Sequence, residues 1–526
     1  MTDSVVTPAE QIAAGYETTG AALELGSVIV GGHVDPAAQI RIPLAMMNRH
    51  GLVAGATGTG KTVTLQVIAE QLSANGVPVV MADFKGDLSG LSRPGEPNEK
   101  VAERAKDTGD DWVATPFPVE FLSLGTGGIG VPVRATISAF GPILLSKVLG
   151  LSQTQESSLG LIFHYADQQG LPLLDLKDLR SLITFLTNTD EGKAELKAIG
   201  AVSSQTAGVI LRALINLEAD GGDTFFGEPE LDPADLLRTD SQGRGVISLF
   251  ELGDQASRPV MFSTFLMWVL ADLFSYLPEV GDLEKPKLVF FFDEAHLLFK
   301  DASKAFLQQV EQTVKLIRSK GVGVFFCTQL PTDVPNAVLS QLGARVQHAL
   351  RAFTPDDQQA LARTVRTYPR TDVYDLATDL TALGIGEAIV TVLSERGAPT
   401  PVAWTRLRPP RSLMASIGPD YTRAVAQASP LFLKYGPTVE RESAYEMLAT
   451  RMAPPPAPAE EPVDLPPILP TGLDLPPMPK RVQRAEPGVL EKMMDNPAFK
   501  SAMRSAGTVI GREIGRSIFG TGRRRR

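Results

Sequence analysis

The sequence has 526 residues and a formal net charge of −10, from 50 Lys and Arg against 60 Asp and Glu. Hydrophobic residues make up 43% and charged residues 21%, a balance that is typical of a globular protein and excludes a mainly disordered chain. The single cysteine, Cys327, excludes a disulfide framework, and the acidic balance excludes a binder that is basic over its whole surface.

No targeting segment is expected from the sequence. Residues 1–20 are acidic and polar and lack a basic stretch followed by an apolar one, so they do not have the pattern of a secretory signal. The longest apolar run, residues 261–273, contains Asp272 and is shorter than the ~20 residues that cross a bilayer. We therefore expect no stable membrane insertion and a reducing, cytoplasmic setting.

In chain order, residues 1–50 are expected to form a few strands that lead into the core. From residue 51 short apolar runs alternate with helical stretches, which predicts an α/β fold with a mainly parallel sheet covered on both faces. The predicted buried strands are residues 77–82, 246–250, 288–292, 322–327 and 387–393.

Helical spacing of apolar residues predicts a mostly helical insertion over residues 135–237. This insertion divides the core into a first part, 51–134, and a second part, 238–407, and further helices are expected over 408–452. Residues 453–479 should be an extended linker, because 11 of the 26 residues from 454 onward are prolines.

The last 47 residues, 480–526, are expected to form a basic helical tail. They hold 12 Lys and Arg against 4 Asp and Glu, a net charge of +8 within a total of −10, so the rest of the chain carries −18. Apolar residues at helical spacing and glycines every four residues favour self-association or docking on the acidic body. A solvated tail, nucleic-acid binding and binding to an anionic membrane remain alternatives.

The strongest motif is a glycine-rich loop that fits the pattern of a phosphate-binding loop at every fixed position. It follows an apolar approach, 51–54, and precedes a helical run, 63–74. Glycines allow backbone N–H groups to converge on phosphate oxygens, and the next helix directs its positive end at them. Lys61 is expected to reach the terminal phosphates and Thr62 to bind Mg²⁺. The predicted nucleotide-binding residues are Gly55, Ala56, Thr57, Gly58, Thr59, Gly60, Lys61, Thr62 and Val63.

Two further motifs follow apolar strands. Asp293 and Glu294 end the run 288–292, and we expect Asp293 to hold Mg²⁺ and Glu294 to polarise the attacking water. Gln329 follows the run 322–327 and is expected to sense the γ-phosphate, unless it only caps the strand. His296 is interpreted as a residue at a helix start that contacts its neighbours, and Cys327 as an inert core residue.

These motifs, in this order and separation, resemble the HerA/FtsK branch of RecA-like P-loop ATPases. A finer similarity, to bacterial HerA-like proteins of the YjgR type, is carried by residues 48–62, 83–90, 292–296 and 329–331. The resemblance covers roughly residues 20–450 and implies ATP and Mg²⁺ as cofactors.

The resemblance also implies residues that neither composition nor spacing would single out. Asp83 or Asp87, in a loop after a strand beside the phosphate loop, would contact water or metal, with an exposed turn as the alternative. An arginine would act on the phosphate of a neighbouring subunit. Arg345 is the first candidate and Arg351 the second, while Arg318 and Lys320 are further ones. An ordinary surface salt bridge is the alternative for each.

The function implied is an ATP-hydrolysing helicase or translocase, a ring-forming homo-oligomer, expected to be a hexamer, that acts on double-stranded DNA. Archaeal HerA proteins carry an N-terminal β-barrel, and 50 residues before the core are too few for one, so functions attached to the barrel are not expected. The alternative is a nucleotide-gated scaffold that remodels an unidentified protein partner without moving DNA. A small-molecule kinase is disfavoured, because the sequence shows no second substrate lid.

Overall fold

A computed structural model describes residues 6–83, 86–252, 259–281 and 283–452 of the chain. The proline-rich linker and the basic tail lie outside these residues, so the expectations about them stay predictions. The strands are β1 Ala22–Val30, β2 His33–Pro43, β3 Gly51–Ala54, β4 Val79–Asp83, β5 Val119–Leu124, β6 Val131–Val133, β7 Ile247–Glu251, β8 Leu288–Phe292, β9 Val322–Thr328, β10 Ala344–Gln347, β11 Glu387–Thr391 and β12 Ala403–Leu407.

Helices connect and cover these strands. They are α1 Pro8–Ala14, α2 Lys61–Ala74, α3 Glu99–Asp107, α4 Ile137–Val148, α5 Gln153–Gln169, α6 Leu176–Asn188, α7 Asp190–Ala198, α8 Ser204–Ala219, α9 Pro259–Tyr276, α10 His296–Phe299, α11 Lys304–Ile317, α12 Asn336–Leu339, α13 Pro355–Val365, α14 Leu376–Ala382, α15 Pro419–Ala428, α16 Pro430–Tyr435 and α17 Ala444–Met452. Five of them, α4 to α8, lie between β6 and β7.

One sheet of 12 strands runs through the described residues in the order β2-β1-β12-β11-β10-β3-β9-β8-β4-β7-β5-β6. The eight strands from β10 to β6 pair in parallel, and the pairings between β10 and β2 are antiparallel. This confirms the predicted α/β fold with a mainly parallel sheet. The prediction of parallel pairing was wrong for the strand expected at 387–393. This strand is β11, and it runs antiparallel to both of its neighbours, β10 and β12.

The centre of the sheet is buried because its strands consist of apolar residues on both faces. Every residue of β8 and of β9 is buried. The ring of Phe291 lies 5.4 Å from that of Phe325, and Phe292 and Phe326 stack at the same spacing. Strands of this kind fit only a sheet that is covered on both sides, and the carboxyl ends of its parallel strands then form one edge.

Helix α9 belongs to the core of the molecule. Among the helices of the described residues, it is the one whose length and composition would allow it to cross a membrane. It is buried along most of its length and packs against α4, α10 and α11. The apolar run 261–273 is therefore part of a core helix in this structure.

A second, smaller apolar cluster lies between β10 and β11. Leu376, Leu380 and Leu383 pack there on Ile389 and Val402, with Tyr368 and Trp404 at the margin. Helices α13 and α14 thus form a small unit on the antiparallel end of the sheet. The residues that lead into and out of this unit touch the phosphate loop, as described below.

Candidate nucleotide-binding site

The phosphate loop connects β3 to α2 at the carboxyl edge of the parallel strands. Gly55 has a φ of 151° and Gly60 a φ of 110°, in a region that residues with a side chain rarely adopt. A Cβ at Gly55 would lie 2.5 Å from the Cβ of His348. The loop therefore needs glycine at position 55 for close approach as well as for backbone conformation.

Lys61 and Thr62 begin α2, where the N-terminal N–H groups of the helix have no partner within it. The Lys61 Nζ donates to the carbonyl oxygens of Gly55 at 2.7 Å and Ala56 at 3.2 Å. The Thr59 hydroxyl donates to the same Ala56 carbonyl at 2.7 Å. These bonds hold the curl of the loop, with the lysine side chain folded over it.

Asp293 and Glu294 lie at the end of β8, two strands from β3 in the sheet. Burial and the neighbouring Glu294 carboxylate raise the pKa of Asp293, while the Lys61 ammonium lowers it. Glu294 has a φ of 48°, a left-handed conformation that turns the chain sharply after the strand. Its N–H donates to Asp293 Oδ1 at 2.9 Å, and its Oε2 lies 3.2 Å from Nδ1 of His296.

The structure extends the interpretation of His296. This residue begins α10 as a helix-start residue would, but the neighbour that it contacts is the candidate catalytic carboxylate. Cys327 is buried, as expected, and its carbonyl accepts a hydrogen bond from Ala295 N at 2.8 Å.

Gln329 follows β9, the strand between β3 and β8. Thr328 is paired with Ala54 in the sheet, so Gln329 stands level with the first glycine of the phosphate loop. Its side chain is exposed. Asp333 Oδ2 accepts from the Thr328 hydroxyl at 2.7 Å and from Leu330 N at 3.0 Å, so the turn on both sides of Gln329 is fixed.

Sequence reasoning missed His348, which lies fully buried under the phosphate loop. Its Nε2 is 2.9 Å from the Thr64 hydroxyl. Burial, followed by the Lys61 ammonium, lowers the pKa of His348 to about 4, so the ring is neutral at pH 7. The next residue, Ala349, accepts a hydrogen bond from Ala56 N at 2.8 Å. His348 lies outside the motifs that the sequence shows, so nothing in the sequence pointed to this position.

A second segment holds the loop from the start of β11. Gly386 N donates to the Thr59 carbonyl at 3.1 Å, and a Cβ at Gly60 would lie 3.3 Å from Gly386 N. The α13–α14 unit is therefore joined to the phosphate loop at both of its ends, through residues 348–351 and through Gly386.

The structure separates the candidate arginines. Arg345 stands level with Leu52 within the sheet, and its guanidinium donates to Thr367 Oγ1 at 2.6 Å. Arg351 instead reaches the phosphate loop, where its Nη2 lies 3.4 Å from the Thr57 carbonyl. Arg318 and Lys320 precede β9 at the opposite, amino edge of the sheet. Arg351 thus lies at the phosphate loop of its own subunit and Arg345 does not, and neither contact decides which arginine acts across a subunit interface.

Asp83 was expected in a loop that follows a strand beside the phosphate loop; it instead ends that strand, and the placement of the strand beside the loop was wrong. Its strand, β4, is separated from β3 by β9 and β8. The Asp83 carboxylate accepts from Gly86 N and Leu88 N, both at 2.7 Å, so it shapes the following turn. Asp87 is exposed. Beside Asp83, burial and the Asp83 charge raise the pKa of Glu251 to about 8.

The residues present fit a magnesium ion. No group of three or more His, Cys, Asp or Glu that could hold a metal ion occurs in the described ranges. A hydroxyl at Thr62 and one half-buried carboxylate at Asp293 are oxygen ligands of the kind that Mg²⁺ takes together with substrate phosphates. The raised pKa of Asp293 shows a carboxylate whose negative charge a cation would stabilise.

The parallel sheet, the loop at its carboxyl edge and the acidic pair two strands away define a RecA-like P-loop NTPase. Solved structures agree with this fold. The plasmid coupling protein TrwB in complex with ADP and Mg²⁺ is 17% identical, with a TM-score of 0.51, covering 79% of this chain and 94% of that one. The bacterial conjugative coupling protein TrwBdeltaN70 is 16% identical with a TM-score of 0.50, covering 78% and 94%.

The chain belongs to the family described as Helicase HerA-like C-terminal, which it matches over residues 31–526. This confirms the resemblance seen in the motifs. The DNA double-strand break repair helicase HerA of Saccharolobus solfataricus is 21% identical over 369 residues, 69% of this chain and 66% of that protein. A probable helicase of Methanocaldococcus jannaschii is 34% identical over 116 residues, 21% of this chain and 20% of that protein. The chain thus spans about two thirds of the first relative and a fifth of the second.

Proposed function

We propose that this protein hydrolyses ATP in a Mg²⁺-dependent reaction. The observation that carries the proposal is the position of Lys61 at the phosphate loop and of the half-buried Asp293–Glu294 pair on the same edge of the sheet. The charge of Lys61 acts on the pKa of Asp293, so the two groups belong to one electrostatic site. Membership in the HerA-like family supports the same activity.

Each residue then has a role that follows from its chemistry. The loop N–H groups and Lys61 bind the β- and γ-phosphates and neutralise charge that grows in the transition state. Thr62 and Asp293 would hold Mg²⁺, which supplies further neutralisation of the phosphates. Glu294 would orient water and accept its proton as the water oxygen bonds to the γ-phosphorus, while the bond to the β–γ bridging oxygen breaks and ADP leaves. His296 limits the positions of that carboxylate. Gln329, between the two, would contact the γ-phosphate.

Two substitutions test this assignment. Lys61→Ala should weaken ATP binding and abolish hydrolysis, whereas Glu294→Gln should abolish hydrolysis with ATP still bound. Lys197→Ala is the control for the loss of a lysine elsewhere, since this residue is exposed on α7 of the helical region between β6 and β7. Hydrolysis at near-normal rates in both Lys61→Ala and Glu294→Gln would refute the assignment.

We further propose that the enzyme works as a ring, expected to be a hexamer, that moves along double-stranded DNA. The relative from Saccharolobus solfataricus is a DNA double-strand break repair helicase, which supports this substrate. An arginine of one subunit would act on the ATP of the next, with Arg345 as the first candidate and Arg351 as the second. Arg351 would in addition act on the ATP of its own subunit, because it contacts the phosphate loop there. Light scattering with an ATP analogue and duplex DNA measures ring formation and DNA binding together. ATPase rates unchanged by duplex DNA at low salt would argue against a DNA motor.

One observation favours a second candidate, a nucleotide-gated scaffold for a protein partner. Residues 1–479 carry a net charge of −18, which the +8 of residues 480–526 reduces to −10 for the whole sequence. A surface with this negative charge repels phosphate backbones except where basic residues cluster. DNA-independent hydrolysis that a co-purified protein stimulates would favour the scaffold. Either function suits the cytoplasmic setting that the sequence predicts.

A further inference from the structure

The segment between α14 and β11 holds the phosphate loop through one peptide group. Gly386 N donates to the Thr59 carbonyl at 3.1 Å. The peptide between Thr59 and Gly60 is trans, and the carbonyl and the N–H of a trans peptide point in opposite directions. This bond therefore turns the Gly60 N–H away from Gly386. Because the N–H groups of a phosphate loop bind phosphate oxygens, the position of Gly386 sets the direction of one candidate phosphate donor.

Arg104, in the last turn of α3, holds the same peptide group from its other end. Its Nη2 donates to the Ile385 carbonyl at 3.1 Å, and this carbonyl belongs to the peptide whose N–H bonds to Thr59. Its Nη1 donates to the Gly386 carbonyl at 2.9 Å. The planar guanidinium thus fixes two consecutive carbonyls at once, a geometry that its rigid fork of donors allows.

The close approach of Arg104 requires glycine at position 386. Gly386 has a φ of 72°, a conformation that favours glycine, and a Cβ there would lie 2.8 Å from Nη1 of Arg104. The Gly386 carbonyl also accepts from Leu407 N at 3.0 Å. The segment before β11 is therefore held by α3, by the end of β12 and by the phosphate loop together.

An ordinary surface salt bridge does not explain the position of Arg104. The charges of Asp107 and Glu387 act on its guanidinium, but these carboxylates pair with Arg406, at 3.3 Å and 3.2 Å. The half-buried Arg104 side chain donates to backbone carbonyls instead. Its contacts therefore shape the chain beside the phosphate loop.

From these contacts we propose that Arg104 is a positioning residue for the candidate nucleotide site. The guanidinium polarises the peptide before Gly386, this peptide donates to the peptide after Thr59, and the N–H of the latter is then oriented for a phosphate. Hydrogen bonds in series strengthen one another, so the positive charge acts on the loop without touching the nucleotide. The inference rests on the proposed function, because it assigns Arg104 a part in binding the phosphates of ATP.

Kinetics separate this role from a merely structural one. Arg104→Met keeps a long apolar side chain but removes its donors, so KM for ATP should rise about tenfold. The kcat should change by less than about threefold, as expected for an interaction that binds substrate and transition state alike. Arg104→Lys keeps the charge but not the fork, and should raise KM only about threefold. Arg180→Met is the matched control, because Arg180 pairs with Glu218 at 2.7 Å between α6 and α8, and KM should not change.

Hydrogen exchange gives a readout that needs no nucleotide. Loss of the Arg104 bonds should speed the exchange of the peptides that contain Gly386 and residues 59–61 at least about fivefold. Peptides from α7 should exchange as in the wild type, because the change is local. Thermal melting checks that Arg104→Met is folded.

Three results would overturn the proposal. They are a KM for ATP within about twofold of the wild type in folded Arg104→Met, unchanged exchange in both loop peptides, and an equal rise of KM in Arg180→Met. A loss confined to kcat would also contradict a role in phosphate binding. A different result, in which Lys61→Ala binds ATP normally, would refute the nucleotide site itself.

Discussion

Replacing His348 by glutamine removes a buried, neutral imidazole from beneath the phosphate loop and should make the protein less sensitive to acid. Burial lowers the pKa of His348 from 6.5 to about 4. A pKa lowered in this way contributes stability that is fully present above 6.5 and is lost as the pH falls towards 4. Between pH 8 and pH 5 the expected loss is about 2 kcal/mol for this one group.

The measurement is the free energy of unfolding of the wild type and of His348→Gln in urea, at pH 5, 6, 7 and 8. The wild-type profile alone does not isolate His348, because His50 also has a pKa lowered to about 4 and buried carboxyl groups act in the opposite direction. The pKa of Glu70, for example, is raised to about 7, so its contribution grows as the pH falls. These groups cancel in the difference between the two proteins.

The difference in unfolding free energy between His348→Gln and the wild type should therefore shift in favour of the variant by about 2 kcal/mol from pH 8 to pH 5. Glutamine can still bond to the Thr64 hydroxyl, so ATP affinity at pH 8 should change by less than about threefold. A difference that stays constant across this pH range would refute the assignment of a buried, neutral histidine.

Three further predictions concern single residues. Gly55→Ala should abolish ATP binding and destabilise the fold by about 1–3 kcal/mol, because its Cβ would lie 2.5 Å from that of His348. Calorimetry measures the ATP binding and urea unfolding the stability. The control is Gly150→Ala, at a glycine that also has a positive φ but has no atom within 4 Å of the added Cβ. Arg345→Ala and Arg351→Ala should each lower the ATPase rate at least about tenfold, and a normal rate in either variant would exclude that arginine from the site. Burial raises the pKa of Asp272 from 3.8 to about 8, and the charges of Glu230 and Asp232 add to this effect. The free energy of unfolding should therefore fall as the pH rises through this range. At pH 9 the free energy of unfolding of Asp272→Asn in urea should exceed that of the wild type by at least about 1 kcal/mol, with a smaller difference at pH 5.

The central strands and the phosphate loop could be predicted because their signals are local. The run 288–292 matches β8 at both ends, and 322–327 falls one residue short of the end of β9. A strand buried on both faces must be apolar throughout, and a loop that curls around phosphates needs glycine at fixed positions. Both requirements are met by consecutive residues, so the sequence displays them directly.

The direction of β11 and the place of β4 could not be predicted in this way. An apolar strand has the same pattern in parallel and antiparallel pairings, and its neighbours in a sheet depend on contacts between residues far apart in the chain. For this reason 387–393 was expected to be parallel and Asp83 was placed beside the phosphate loop. The sheet order instead puts two strands between β4 and β3.

The amino-acid sequence by itself determined the chemistry of the protein: a phosphate loop ending at Lys61 and Thr62, an acidic pair at a strand end, and an amide at the end of another. Only the tertiary structure decided what surrounds that chemistry. His348 and Gly386 meet the loop because β10 and β11 bring distant segments to it. A cavity beside α2 has walls from five separate parts of the chain. Motifs reside in neighbouring residues, whereas packing depends on which distant residues the fold brings into contact.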